Sequence, residues 1–279
     1  MLVQLGSLSM CSLFSSSKTD SLPAVESVSD SFPQIQGANL AAATVGERVA
    51  GDFYDSIRVS PERILFGLLD VAGRRETNRD ILTAAQEMFR TLGAELFSRS
   101  DINESDAMTE LCLHLNRRLI EVSKGVHSCP AFLACYHEKF GTLCYTNAGH
   151  TPGLVRDSTG IAELPSSGLP LGLFSHATCE APTIGTEKGT ALLLVSRGVI
   201  ECADAKGNKD GDSAEDFGLA RVKHLLETAP QAAAQELCAS ILNAANEFTC
   251  RSPLLNDLTA MAFVSHRLNG LHDPGPAQP

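Results

Sequence analysis

Tryptophan is absent from this 279-residue sequence, and aromatic residues make up only 5% of it. Basic residues are scarce: 22 Lys and Arg stand against 33 Asp and Glu, a formal net charge of −11. A nucleic-acid binder needs a basic footprint to neutralise phosphates, and an anionic membrane surface selects the same sign of charge. Composition therefore argues against both partners. No stretch approaches the ~18 consecutive apolar residues of a membrane span. The first basic residue is Lys18, behind a mildly apolar N-terminus. A secretory signal carries its positive charge ahead of the apolar region, so none is expected. The nine cysteines are odd in number and include no Cys-x-x-Cys pair. Several, such as Cys135 and Cys144, lie inside apolar runs. Buried thiols are expected rather than a disulfide framework, which points to a reducing, cytoplasmic compartment.

What is present suits a globular protein: 43% hydrophobic and 20% charged residues. Residues 1–33 are Ser-rich without sustained period and read as a flexible leader. Residues 268–279 carry Pro and Gly and read as a loose tail. Nothing between them resembles a long linker, so 34–267 is expected to be one domain.

That domain mixes strands and helices. The apolar run at 64–70 ends in an acid and fits a buried strand presenting a carboxylate. Helical spacing of apolar residues follows over 78–98, with Asn78 as N-cap, and over 104–123. Strand-like runs occupy 131–137, 142–148, 191–196 and 258–265, the first two joined by a turn at Lys139 to Gly141. Helices are expected over 217–227 and 230–248. The order gives an α+β layered domain rather than a βαβ repeat.

Four places gather acids and glycines at the ends of apolar runs. They are Gly51-Asp52-Phe53-Tyr54-Asp55, Asp70-Val71-Ala72-Gly73, Asn147-Ala148-Gly149-His150 and Asn256-Asp257-Leu258-Thr259. Taken singly, an Asp at a turn is more often a solvated cap than a ligand. Acids converging on one rim are what a hard divalent ion needs, since Mg²⁺ and Mn²⁺ take oxygen ligands and few carboxylates.

In order and wording these segments, with GLPLGL at 168–173, LLLVSRGVIE at 192–201 and DFGLARV at 216–222, resemble the SpoIIE-type (RsbU-like) branch of the PPM family of metal-dependent protein serine/threonine phosphatases. The resemblance spans about residues 34–266. It implies a PPM-type α/β/β/α layered β-sandwich flanked by helices, with Mn²⁺ or Mg²⁺ at one end. It implies hydrolysis of phosphoserine or phosphothreonine on a protein, such as an anti-sigma-factor antagonist, by a metal-activated water. Asp52 and Asp70 match the family's metal-site aspartates, Asp70 being the bridging one, and the Val71 carbonyl would lie on the same rim. His150 matches the family's Ala-Gly-His segment, in a structural or substrate-side role.

Two departures fall on the metal site. Where the family strand carries a ligand aspartate, this sequence has Arg197. Where the family's terminal acidic pair begins, it has Asn256, leaving Asp257 as the remaining carboxylate. The change amounts to three charge units, and two dications at ~4 Å repel by several kcal/mol even at an effective dielectric of ~20. Arg197 is expected to pair with Asp70 or Asp52, the other possibility being that it turns to solvent. The family's Gly-Lys-Gly loop reads Gly73-Arg74-Arg75 here, followed by Glu76. Two functions follow: a phosphatase using Asp52, Asp70 and Asp257, or an impaired pseudophosphatase that binds a phosphoprotein or partner without hydrolysis.

Overall fold

The structure, a computed structural model, describes residues 26–27, 32–46, 50–74, 77–125, 127–176, 178–203, 215–229, 233–249 and 256–267. Arg75, Glu76, Pro230, the tail at 268–279 and most of the leader lie outside these residues.

Along the described residues run four strands, two helices, six strands, three helices and a last strand. The strands are β1 (Glu26–Ser27), β2 (Ala38–Val45), β3 (Ala50–Ser60), β4 (Arg63–Arg74), β5 (Ala131–His137), β6 (Thr142–Ala148), β7 (Gly153–Asp157), β8 (Gly160–Leu164), β9 (Thr183–Gly185), β10 (Ala191–Val195) and β11 (Leu258–Ser265). The helices are α1 (Arg79–Phe97), α2 (Glu104–Ser123), α3 (Arg197–Ile200), α4 (Gly218–Thr228) and α5 (Ala234–Phe248). The strands form two antiparallel sheets, ordered β1-β2-β11-β10-β7-β8 and β3-β4-β5-β6-β9. Within the segment read as a leader, Glu26–Ser27 pair with Thr44 and Ala43 at the edge of the first sheet.

Side-chain alternation along the strands builds three layers of core. On β4, Ile64, Phe66 and Leu68 point between the sheets, while Leu65, Leu69 and Val71 point to α1 and α2. On β11, Met261 and Phe263 point between the sheets, and Leu258, Ala260, Ala262 and Val264 face the α4–α5 side. The rings of Phe66 and Phe263 stack across the gap at 6.0 Å, and Tyr136 meets Phe263 at 4.7 Å. Each such buried aromatic contributes ~1.5–3 kcal/mol by leaving water. Helices on both outer faces complete the α/β/β/α sandwich.

Helix α2 shows how local sequence sets these elements. The Asn103 side chain accepts from the amides of Ser105 and Asp106, satisfying two orphan donors. Met108, Leu111, Leu115 and Leu119 form its buried stripe. The helix stops where Lys124 turns left-handed, with φ of 56°.

One expectation about cysteine is corrected. Cys112 on α2 and Cys179 are joined by a disulfide across 67 residues of sequence. That separation hides the pairing from any spacing argument; only the packing of residues 165–182 onto α2 brings the two together. Cys129, Cys135, Cys144, Cys202 and Cys238 are thiols. Burial pushes Cys129 and Cys238 up to about 12, which keeps them protonated and inert. Among the described residues no helix is long and apolar enough to cross a membrane.

Candidate functional site

The β3–β4 register sets Asp52 directly opposite Asp70. Opposed residues in an antiparallel pair share one face of the sheet. Asp70 has the same parity as Ile64, Phe66 and Leu68, so both acids face the space between the sheets, at its end. The other sheet meets them with hydroxyls. Thr259 follows the inward parity of Met261 and Phe263, and Thr44 lies opposite Thr259 with their oxygens 3.4 Å apart. Ser196, just past β10, accepts the Thr259 amide at 3.1 Å. Where the interlayer core runs out, apolar side chains give way to carboxylates from one sheet and hydroxyls from the other.

Asp52 is the most perturbed of these acids. Its carboxyl is pushed up to about 7, chiefly by burial, then by the neighbouring charge of Asp70; hydrogen bonds from Thr259 and Ser196 act the other way. The residue as a whole is partly exposed, but its Oδ2 is buried and has no hydrogen-bond partner. Asp70 is 8% exposed, and its Oδ2 accepts the backbone amide of Arg197 at 3.1 Å. Asp257 is buried, and its charge also acts on Asp52. Gly46 and Gly198 leave room for the Asp257 segment: a Cβ on Gly46 would lie 2.4 Å from its Oδ1, and one on Gly198 would lie 2.3 Å from its carbonyl oxygen.

A pH test follows from Asp52. Its folded-state value lies above the ordinary 3.8, so folding takes up a proton between about pH 4 and 7. The ionised form therefore weakens the fold above about pH 7, and that penalty fades as the pH falls toward 4. With divalent ions chelated, Asp52→Asn is expected to raise the melting temperature at pH 8 and to raise it much less at pH 5. Equal shifts at both values would refute the assignment.

Arg197 does not pair with Asp70 or Asp52 through its side chain, which corrects the first of the two expectations. The guanidinium is half-exposed and lies 3.6 Å from Glu201, one helical turn on. The reason is local: Arg197 is the first residue of α3, so its amide turns to Asp70 while its side chain projects along the helix face toward position i+4. Asn256 is exposed. Among the described residues, no three His, Cys, Asp or Glu side chains converge to hold a metal ion.

His150 is 4% exposed. Its Nδ1 lies 3.1 Å from the Thr151 carbonyl and hydroxyl oxygens, and its Nε2 is buried without a partner. Burial lowers its basicity, against the pull of Asp70. Gly149 precedes it at φ +74°, with Pro170 so close that a Cβ would meet the ring at 2.4 Å. Asp55, from the same five-residue motif as Asp52, has the opposite parity. It leaves the site and holds Arg90 of α1 through two hydrogen bonds of 2.6 and 2.9 Å. Asn78 occupies the N-cap position of α1 but makes no side-chain cap. Its amide nitrogen lies instead where Cβ atoms on Gly51 and Gly73 would reach, at 2.9 and 3.3 Å. Of the site hydroxyls, sequence reasoning named Thr259 only within the run Asn256 to Thr259 and missed Ser196 and Thr44. Ser196 adjoins Arg197 in VSRG, and Thr259 follows Asn256 by three residues in NDLT; that proximity was the available signal.

The Stage II sporulation protein E (SpoIIE) family matches residues 60–264. This chain belongs to the SpoIIE family. The match includes Asp70, Arg197, Asn256 and Asp257, while Asp52 lies ahead of it. Among curated proteins, the phosphoserine phosphatase RsbP of Bacillus subtilis (strain 168) is 24% identical over 154 residues, 55% of this chain and 37% of that protein. The chain thus spans well under half the length of this relative. The SiaA-PP2C domain of Pseudomonas aeruginosa superposes with a TM-score of 0.65 at 16% identity, covering 81% of this chain and 85% of that one. The PP2C phosphatase domain of SpoIIE from Bacillus subtilis, with a fragment of its regulatory domain, gives 0.64 at 15% identity, covering 83% and 64%. The sandwich of this SpoIIE-family chain is thus the PP2C (PPM) phosphatase fold.

Metal dependence in this fold makes the donor set decisive. Asp52 and Asp70, with the Val71 carbonyl on the same β4 rim, fit one hard dication: all are oxygen donors, and Asp52 carries a buried oxygen with no other partner. Arg197 turns outward and Asn256 is exposed, so neither adds a carboxylate beside them.

Proposed function

We propose that this SpoIIE-family domain acts in signal transduction by recognising a phosphoserine- or phosphothreonine-bearing protein, such as an anti-sigma-factor antagonist, and that its two-metal hydrolytic centre is dismantled. The observation that carries this reading is the state of positions 197 and 256. Arg197 offers Asp70 only its amide, and although the charge of Asp257 reaches Asp52, no group of three His, Cys, Asp or Glu side chains among the described residues could hold a metal ion. Among the described residues the half-exposed Arg197 guanidinium pairs with an exposed glutamate at 3.6 Å, an ion pair of little worth. It is free to turn and grip a phosphoryl oxygen in the bidentate manner that arginine favours.

A second reading, slow hydrolysis with a single Mn²⁺ or Mg²⁺, is favoured by the facing Asp52–Asp70 pair and the unpartnered Asp52 Oδ2. Such an ion, when bound, polarises a phosphoryl oxygen and activates water. The chain's own part would be to hold the ion between the two acids, with the Thr259 and Ser196 hydroxyls orienting Asp52.

One experiment separates the readings. The purified protein with Mn²⁺ is offered a degenerate phosphoserine peptide pool, and both binding and phosphate release are measured. The first reading expects binding that favours the phosphorylated pool, is weakened roughly tenfold by Arg197→Ala, and is accompanied by phosphate release no faster than that of Asp70→Asn. Release by the wild type that Asp70→Asn abolishes would establish the second. Neither binding nor release would end both.

A further inference from the structure

The segment that joins β8 to β9, residues 165–182, spans two places in the fold. At one end it lines the approach to the acidic site. Gly168 bridges to Ala148, and its amide donates to the Asn147 carbonyl at 3.2 Å. Ser166 Oγ accepts the Gly149 amide at 2.8 Å. Pro170 packs on Gly149, and Leu171 exchanges two backbone hydrogen bonds with Cys129. The next residue after Cys129, Pro130, accepts the amide of Asp70 at 2.9 Å. At its other end the segment lies on α2. Asn116 donates to the Phe174 carbonyl and accepts the Gly172 amide, Ser105 donates to the Ala181 carbonyl, and Thr109 donates to that of Cys179. The Cys112–Cys179 disulfide is the covalent link in this second set.

Among the described residues of 165–182, no helix or strand binds the segment to itself. Their position depends on these attachments, which makes them a low-stability element resting against stable ones. We propose that the Cys112–Cys179 disulfide is a redox-controlled tether: oxidised, it pins residues 165–182 to α2 and so fixes Gly149, His150 and the rim beside Asp70; reduced, it releases the segment and loosens that rim. The inference does not depend on whether the acidic site hydrolyses or only binds.

The chemistry balances with a dithiol as reductant. One thiolate of the dithiol attacks Sγ of Cys179, which is 9% exposed where Cys112 is fully buried. The S–S bond breaks, and Cys112 leaves as a thiolate that takes a proton. The second thiol of the dithiol then displaces the Cys179 thiol, so the protein gains two thiols and the dithiol becomes a disulfide. Because Cys179 is nearly covered, attack requires local opening of the segment, and the reaction reports on that opening.

The test uses the full chain and hydrogen exchange, which reads the tether without reference to function. In oxidised protein the amides of Gly168, Gly172 and Leu171 should be protected. After dithiothreitol treatment, and in Cys112→Ser/Cys179→Ser without any treatment, exchange at these amides should quicken by roughly tenfold or more, while amides of β5 and β11 stay unchanged. Phosphoserine-pool binding should shift in the same two samples. Equal protection in oxidised, reduced and double-variant protein would overturn the proposal. So would alkylation and mass measurement showing Cys112 and Cys179 both free in protein purified without reductant and then exposed to air.

Discussion

Arg197→Asp combined with Asn256→Asp is expected to raise the domain's affinity for Mn²⁺ about a hundredfold or more. The two changes remove one positive charge and add two negative ones beside Asp70 and Asp257. A dication ~4 Å from a single charge interacts with it by ~8 kcal/mol at an effective dielectric of 20. If screening leaves only a third of that, the gain still reaches about two orders of magnitude. The same variant should be less stable than the wild type with metal chelated, because the new acids repel Asp52, Asp70 and Asp257 when nothing neutralises them. Calorimetric Mn²⁺ titration and thermal unfolding with and without a chelator would show both effects. A titration identical to that of the wild type would mean that positions 197 and 256 do not face the ion.

The second large effect lies at the far end of β4, seven residues from Asp70 along the strand. Arg63 is 4% exposed. Its guanidinium donates to Glu104 at 2.7 Å and to the carbonyls of Arg99 and Ser100 at 2.9 and 3.3 Å, joining β4 to the α1–α2 connection. Glu104 stands 4.0 Å from the buried His137 as well. Arg63→Met is expected to cost about 3–5 kcal/mol in denaturant unfolding, since it leaves the largely covered Glu104 without its cation. Arg63→Met with Glu104→Met should cost distinctly less, because no uncompensated charge remains. Equal losses in the single and double variants would show that Arg63 acts through its carbonyl contacts alone.

The sequence was legible where a residue's neighbours in the chain dictate its structure. Helix α2 and strands β5, β6 and β11 fall where apolar period and turn residues place them. Strand β2 was not legible, because ANLAAATV is buried on both faces and shows no alternation. Strand β3 was read only as a motif, its acids and serines masking the inward set that β4 pairing creates. At the site, the facing of Asp52 and Asp70 followed from the resemblance and is explained by register. The direction of the Arg197 side chain did not follow: it depends on where α3 begins, which no spacing rule specifies. The Cys112–Cys179 bond, a contact between distant segments, was equally out of reach.

Asp52 and Asp70 ride on one sheet, and Asp257 with its hydroxyl neighbours rides on the other. Anything that engages both groups clamps the two halves of the sandwich together at its mouth. When nothing does, like charges work as a wedge there, while the Phe66–Phe263 stack holds the layers closed deeper in. Occupancy would then be felt as a change in how widely the layers gape, and through the outer helices that rest on each sheet it would reach surfaces remote from the acids themselves.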